Sequence, residues 1–173
     1  MVAGGGAKSA AYVLLLVNLV IFFIVTVIAA WAMNHGIQRS RETASVLSIP
    51  LRIFPIYFPL GNMATGFFLI FSLIAGVVGI ATSLTGLHNV FQWDGPSLHT
   101  AAASSLVSWS LTLLAMGLAC KEIELGWTTG NLRTLETMTI IVSATQLFST
   151  CAIQAAGVEV AIAEQRDRTG ARR

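Results

Sequence analysis

Residues Ala10–Met33 read AAYVLLLVNLVIFFIVTVIAAWAM, without a single Lys, Arg, Asp or Glu. A helix of about 20 apolar residues crosses the hydrocarbon of a bilayer, and this stretch is longer than that. It follows Lys8, as the apolar core of a secretory signal follows its basic start. Such cores run to only about 15 residues, so the stretch reads as a retained first span.

The same absence of charge recurs along the chain. Among 173 residues, 10 are basic and 8 acidic, and they cluster so as to leave four gaps: Ser9 to Gln38, Ile53 to Trp93, Gly95 to Cys120 and Thr137 to Val158. Each gap is long enough for one membrane helix. The composition is 55% hydrophobic and 10% charged, where a soluble domain carries about 25% charged residues. The mean hydropathy is +0.76. The fold class expected is therefore all-α integral membrane: four transmembrane helices in an up-down-up-down bundle, with spans near 10–33, 63–86, 101–120 and 137–161. One membrane domain over residues 1–164 and a basic tail over 165–173 complete the organisation. A net charge of +2 is too small and scattered for a nucleic-acid partner. The partner expected from composition is the lipid bilayer.

The connections differ in character. Loop 1, residues 34–62, contains VLSIPLRIFPIYFPL from Val46 to Leu60, apolar yet broken by Pro50, Pro55 and Pro59. Proline removes backbone donors and interrupts helices, and such breaks are costly in hydrocarbon. The segment is expected at the interface, where Phe54, Tyr57 and Phe58 suit the headgroup level. Asn62 stands where it would cap the second helix. Loop 2, expected from Leu87 to Thr100, holds His88, Trp93, Asp94, Gly95, Pro96 and His99, without Lys or Arg. Loop 3 follows Lys121-Glu122-Ile123-Glu124 and carries the turn residues Gly126, Gly130 and Asn131. Lys and Arg divide equally between the two sides of a four-span chain, five to each. The dense tail group Arg166, Arg168, Arg172 and Arg173 favours both termini on the cytoplasmic side, next to anionic lipid.

Apolar side chains give helices no reason to pair in lipid, so small residues and interhelical hydrogen bonds must do it. In the third span Ala101, Ser105, Ser108, Thr112, Ala115 and Ala119 recur at three- and four-residue steps and share a face. In the second, Ser72 and Gly76 form one such pair, and Ala75, Gly79 and Ser83 another set. Ser72, Gly76, Gly79, Ser105 and Ala115 are the expected packing positions. The fourth span carries Thr139, Ser143, Gln146, Thr150 and Gln154, and both glutamines are expected to seek partners inside the bundle. Asn18 and Thr26 of the first span are two turns apart. A bundle with a lightly polar interior follows.

Chemistry that needs a catalytic constellation is missing from the pattern. Cys120 and Cys151 lie far apart without a CxxC motif and are expected to be free and buried. His88, Asp94 and His99 match no metal-ligand spacing. No nucleophile elbow, phosphate loop or carboxylate pair within one span is present. The chain is not expected to be an enzyme, nor to hold a metal or cofactor.

Several ordered blocks resemble the plant plasma-membrane AWPM-19-like family. They are Gly61-Asn62-Met63-Ala64-Thr65-Gly66-Phe67-Phe68, Ala75-Gly76-Val77-Val78-Gly79, Ser104-Ser105-Leu106-Val107-Ser108-Trp109, Gly117-Leu118-Ala119-Cys120-Lys121-Glu122-Ile123 and Leu132-Arg133-Thr134-Leu135-Glu136. The resemblance implies a four-span plasma-membrane protein of the abscisic acid and dehydration response, tied to seed maturation and tolerance of drought, cold and salt. It also implies uptake of abscisic acid as the activity. Abscisic acid is a small apolar molecule with one carboxylate, which calls for an apolar site with a few donors or a cation. The cations at span ends are Arg39, Arg52, Lys121 and Arg133; the interior donors are Asn18, Ser108, Thr112, Gln146 and Gln154. On this view Lys121 captures the carboxylate and the stripe from Gln146 to Gln154 lines the route, in a homo-oligomer or along a surface groove. The alternative is a tetraspan that transports nothing and stabilises the membrane during drying.

Overall fold

The computed structural model describes residues 3–47, 63–126 and 130–170, and four helices make up almost all of these described residues. They are α1 (Ala3–Leu47), α2 (Met63–Gln92), α3 (Gly95–Leu125) and α4 (Gly130–Gly170). No strand occurs among the described residues. Each helix holds a stretch long and apolar enough to cross a membrane: Gly6–Arg39, Ala64–Gln92, Gly95–Leu125 and Gly130–Arg166.

The helices overrun the spans expected from hydropathy. At a rise of about 1.5 Å per residue, the 45 residues of α1 reach roughly 68 Å, against about 30 Å of hydrocarbon. Residues 34–47, expected to begin loop 1, instead continue the helix. Gln38 to Leu47 contains no Gly or Pro, so nothing in it opposes propagation of a helix already formed. The proline-rich remainder of loop 1 and Asn62 lie outside the described residues.

Loop 2 is corrected more sharply, contracting from Leu87–Thr100 to Trp93 and Asp94 alone. Trp93 sits in the left-handed region at φ 54° and donates its N–H to the Asn89 carbonyl at 3.2 Å. Pro96 occupies the first turn of α3, where its missing N–H would have had no helical partner. The cluster Asp94-Gly95-Pro96 is thus a helix start, and His88 and His99 belong to helices. At the far end of α3, Gly126 adopts φ 70°, and its N–H reaches the carbonyls of Glu122 and Ile123 at 3.3 Å. Glycine closes a helix this way without a Cβ penalty.

The helices form a closed ring of contacts, α1 to α2, α2 to α3, α3 to α4 and α4 back to α1. Contacts on α1 descend from Thr26 through Phe22 to Leu15 as those on α2 ascend from Gly76 through Gly79 to Gly86; the two helices are antiparallel. Ser105 with Thr150 and Met116 with Ser143 show the same for α3 and α4. A Cβ built on Gly76 would strike Oγ1 of Thr26, and one on Gly79 would strike the ring of Phe22. This is the close approach that small residues permit. Apolar packing gathers at the two ends. Ala11, Leu15, Val90, Leu98, Ala101, Ala102, Ile153 and Ala156 form one cluster, and Val25, Ala29, Phe68, Leu69, Ala119, Leu132 and Leu135 the other.

Polarity is arranged inside out. Phe23, Val77, Val107 and Phe148, one on each helix, are all more than half exposed, while Asn18, Ser72, Ser108 and Gln146 are at most 1% exposed. In water such a surface would aggregate; in a bilayer it is the solvated face. The chain is a membrane protein with four candidate spans.

Candidate functional site

Between the two apolar clusters, three helices meet through uncharged polar side chains. Asn18 of α1 donates from Nδ2 to Oε1 of Gln146 on α4 at 2.8 Å. Gln146 in turn donates from Nε2 to Oγ of Ser105 on α3 at 3.1 Å. The hydroxyls of Ser105 and Thr150 are 2.6 Å apart. Thr150 donates its own proton to the Gln146 carbonyl at 2.8 Å, which leaves Ser105 as the donor of the bond between them. An amide brings donors and acceptors together, so a few such groups can satisfy one another without water. Each bond of this kind in a membrane bundle is worth about 0.6 to 2 kcal/mol.

The interior also contains buried groups with no partner: Asn18 Oδ1 and the hydroxyls of Ser83, Ser108 and Ser149 near this network, and Asn89 Nδ2 and the Ser72 hydroxyl farther along α2. Ser83 faces α1 near Asn18, since Gly79 meets Phe22 and Gly86 meets Leu15. An unmet buried polar group costs about 1 to 3 kcal/mol.

A second polar region lies toward the other end of the same helices. Glu122 of α3 and Glu136 of α4 are 0% and 2% exposed, although both sit in stretches that read as charged loop edges. The hydroxyl of Thr65, on α2, donates to Oε1 of Glu122 at 2.6 Å. Glu122 Oε2 and Glu136 Oε1 have no partner. The exposed cation nearby in sequence, Lys121, is engaged instead by Glu124 at 2.7 Å.

The expected ligand residues are distributed over three environments. Asn18, Ser108, Thr112 and Gln146 are buried, the Thr112 hydroxyl spent on the Trp109 carbonyl at 2.7 Å. Lys121 and Arg133 are exposed at the end that holds Glu122, and Arg52 lies outside the described residues. Gln154 departs from expectation: it is exposed, and Ile153 is buried in its stead. Eight residues at about 100° each leave Gln154 some 80° away from Gln146, whereas seven return Ile153 to within about 20°. The same offset leaves Thr26 only partly buried, donating to its own helix at the Phe22 carbonyl. Ser72, Gly76, Gly79, Ser105 and Ala115 are all buried. Cys120 and Cys151 are free, but exposed rather than buried, each lying one step away from the buried Ala119 and Thr150.

Thr65, Glu122 and Glu136 were not among the expected site residues. The signal for Glu122 was present: the buried positions 101, 105, 108, 112, 115 and 119 continue to 122 at the next three-residue step.

The AWPM-19-like family model matches residues 16–156, a stretch that includes both polar regions. Membrane protein PM19L from rice, Oryza sativa subsp. japonica, is 43% identical over 130 residues, which is 75% of this chain and 68% of the relative. No solved structure matches the chain.

Proposed function

The chain belongs to the AWPM-19-like family, and from that premise we propose that it is a plasma-membrane protein that facilitates uptake of abscisic acid or a similar small weak acid. The observation that carries this reading is the group of unpartnered buried atoms next to the Asn18–Gln146–Ser105 network: Asn18 Oδ1 and the hydroxyls of Ser83, Ser108 and Ser149. Serine hydroxyls without acceptors suit the carbonyl, hydroxyl and carboxyl oxygens of such an acid, and the apolar clusters above and below suit its ring. The neutral acid, free of the cost of a buried charge, is the form that would travel.

The N-terminal turns of α1 and the last turns of α4 lie at one end of the bundle: Lys8 donates to the Phe91 carbonyl at 3.4 Å, and Glu164 lies beside Gly95. With both termini cytoplasmic, Lys121 and Arg133 face the outside, where they would attract the acid's anion. The Lys121–Glu124 pair is exposed and screened by water, so an incoming carboxylate exchanges with Glu124 at little cost. Dehydration, drought, cold and salt response and seed maturation are the physiological setting this reading supposes.

The test is uptake of radiolabelled abscisic acid into liposomes that contain the purified protein, at more than one pH. Uptake faster than in protein-free liposomes, and slowed by Gln146→Leu, is expected; uptake equal to protein-free liposomes at every pH would overturn the proposal. One observation favours a second reading, a tetraspan that stabilises the membrane during drying: the seam between α1 and α2 leaves no room for a Cβ at Gly76 or Gly79. If that reading is right, uptake is null and the protein instead reduces leakage of dye-loaded vesicles on drying.

A further inference from the structure

Gln154 carries an amide out of the bundle and into the face of α4 that meets lipid. It stands eight residues from Gln146, about 12 Å along the helix axis. With the Asn18–Gln146 layer at the middle of the bilayer, it stays within the roughly 15 Å of one hydrocarbon leaflet. Elsewhere on the lipid-facing surface, the exposed hydroxyls of Thr85, Ser110 and Thr137 are each spent on a carbonyl of their own helix, at 2.8, 2.9 and 2.9 Å. The Gln154 amide makes no hydrogen bond to any described residue. Its two N–H donors and its carbonyl are costly to leave unmet in hydrocarbon.

Gln154 also stands on a regular line. Ile140, Ala144, Leu147, Cys151, Gln154 and Val158 recur at alternating steps of four and three, and all are exposed. Two helices pack along one another at this spacing. The outward lines of α1 (Leu16, Val20, Phe23, Val27) and α2 (Ile70, Ile74, Val77, Leu84) are wholly apolar, and lipid tails cover such faces as well as another helix would. The line on α4 differs, because Ala144 and Cys151 are small enough to admit a second backbone and the amide beside them lacks a partner. The amide itself indicates which molecule fits. It both donates and accepts, so it is complementary to an identical amide. Two copies inserted the same way run their α4 helices parallel, and a two-fold axis between them sets equal positions opposite one another. Gln154 then meets Gln154 of the partner subunit, each donating an N–H to the other's carbonyl.

We propose that this lipid-facing line of α4 is a homodimer seam, in which the Gln154 amides of two copies pair and Ala144 and Cys151 lie at the contact. A single polar residue in a seam of this kind fixes its register. The seam uses a face of α4 other than the one that carries Gln146, so it stands whether or not any acid crosses the bundle.

The experiment uses the full chain in phosphatidylcholine liposomes. The sequence holds two cysteines, Cys120 on α3 and Cys151 on α4, both free and exposed. Cys120→Ser therefore leaves Cys151 as the only thiol, and Cys151→Ser leaves Cys120. Oxidation with copper-phenanthroline should convert Cys120→Ser to a disulfide-linked dimer that dithiothreitol reverses, while Cys151→Ser stays monomeric. Sedimentation equilibrium in density-matched micelles should show the wild type as monomer and dimer. Gln154→Leu should raise the dissociation constant about tenfold, the loss of two interhelical hydrogen bonds. Ala144→Phe should raise it further, and Val77→Phe on α2 should leave it unchanged. No cross-link through Cys151, or a dissociation constant unmoved by Gln154→Leu, would overturn the seam. Cross-linking through Cys120 as strong as that through Cys151 would place the contact on α3 and equally overturn it. Gln154 is exposed in the monomer, so its replacement leaves the bundle intact, and the Cys151 cross-link is read without it.

Discussion

The middle of the bundle and its Glu122 end meet the same problem with different chemistry, and each leaves buried oxygens over. At Asn18, Gln146, Ser105 and Thr150 every contributing group can both give and accept a hydrogen bond, so three helices are joined by neutral side chains alone. At Glu122 and Glu136 the side chains accept only; one hydroxyl from a third helix meets one oxygen and two others stay unmatched. Amides and hydroxyls can join helices to one another within a bilayer because each brings both a donor and an acceptor. Carboxylates, which only accept, depend on a donor from elsewhere, here Thr65.

The strongest way to break the contrast is to force α1 off α2. Gly79→Leu places a side chain where the Phe22 ring lies and should cost about 3 kcal/mol or more. Displacing α1 also pulls Asn18 from Gln146 while leaving the glutamate end, built on α2, α3 and α4, in place; titration with denaturing detergent, followed by circular dichroism, measures the loss. Next is Gln146→Leu, which strands Asn18 Nδ2 and should destabilise by about 1 to 3 kcal/mol. A cycle with Asn18→Leu then isolates the pair, with an expected coupling of about 0.6 to 1.7 kcal/mol. Coupling near zero would mean that the middle is held by packing alone. Thr65→Val removes the hydroxyl that donates to Glu122 and should cost about 1 kcal/mol. Thermal unfolding reads the loss. The smallest effect belongs to Lys121→Ala: its bridge to Glu124 is exposed and screened by water, so stability should be almost unchanged. Any loss of acid uptake in this variant would then report on capture rather than on folding.

The four helices and their approximate spans were legible in the sequence because charge is excluded from hydrocarbon, and the gaps between charges are wide. Burial of Asn18, Ser108, Thr112 and Gln146 was legible too, since polar residues in a span have nowhere better to go than the interior. Three things were not. Loop 2 was overestimated because Asp94, Gly95 and Pro96 serve a helix start as well as a turn. Gln154 was placed inside because steps of four drift around a helix, whereas the interior follows alternating steps of three and four, as Gln146, Ser149, Ile153 and Ala156 do. Glu122 was hidden by its neighbours. Lys121-Glu122-Ile123-Glu124 reads as a solvated stop, yet Lys121 and Glu124 turn outward while Glu122 keeps to the seam. Charge content alone fixes where a span may end, and helical phase decides which of the charges at that end is buried.

The two-residue link at Trp93 and Asp94 bears on how the protein is made. Helices joined so tightly cannot be handed to the bilayer one at a time with a long pause between, because the end of α2 and the start of α3 share the same few ångströms. During synthesis α2 and α3 should partition as one hairpin, already apposed from Val90 and Leu98 at the link to Thr65 and Glu122 at the far end. On this route α1 waits for its partner on α2 and α4 arrives last, bringing Gln146 to Asn18 and Glu136 to Glu122 in a single closing step.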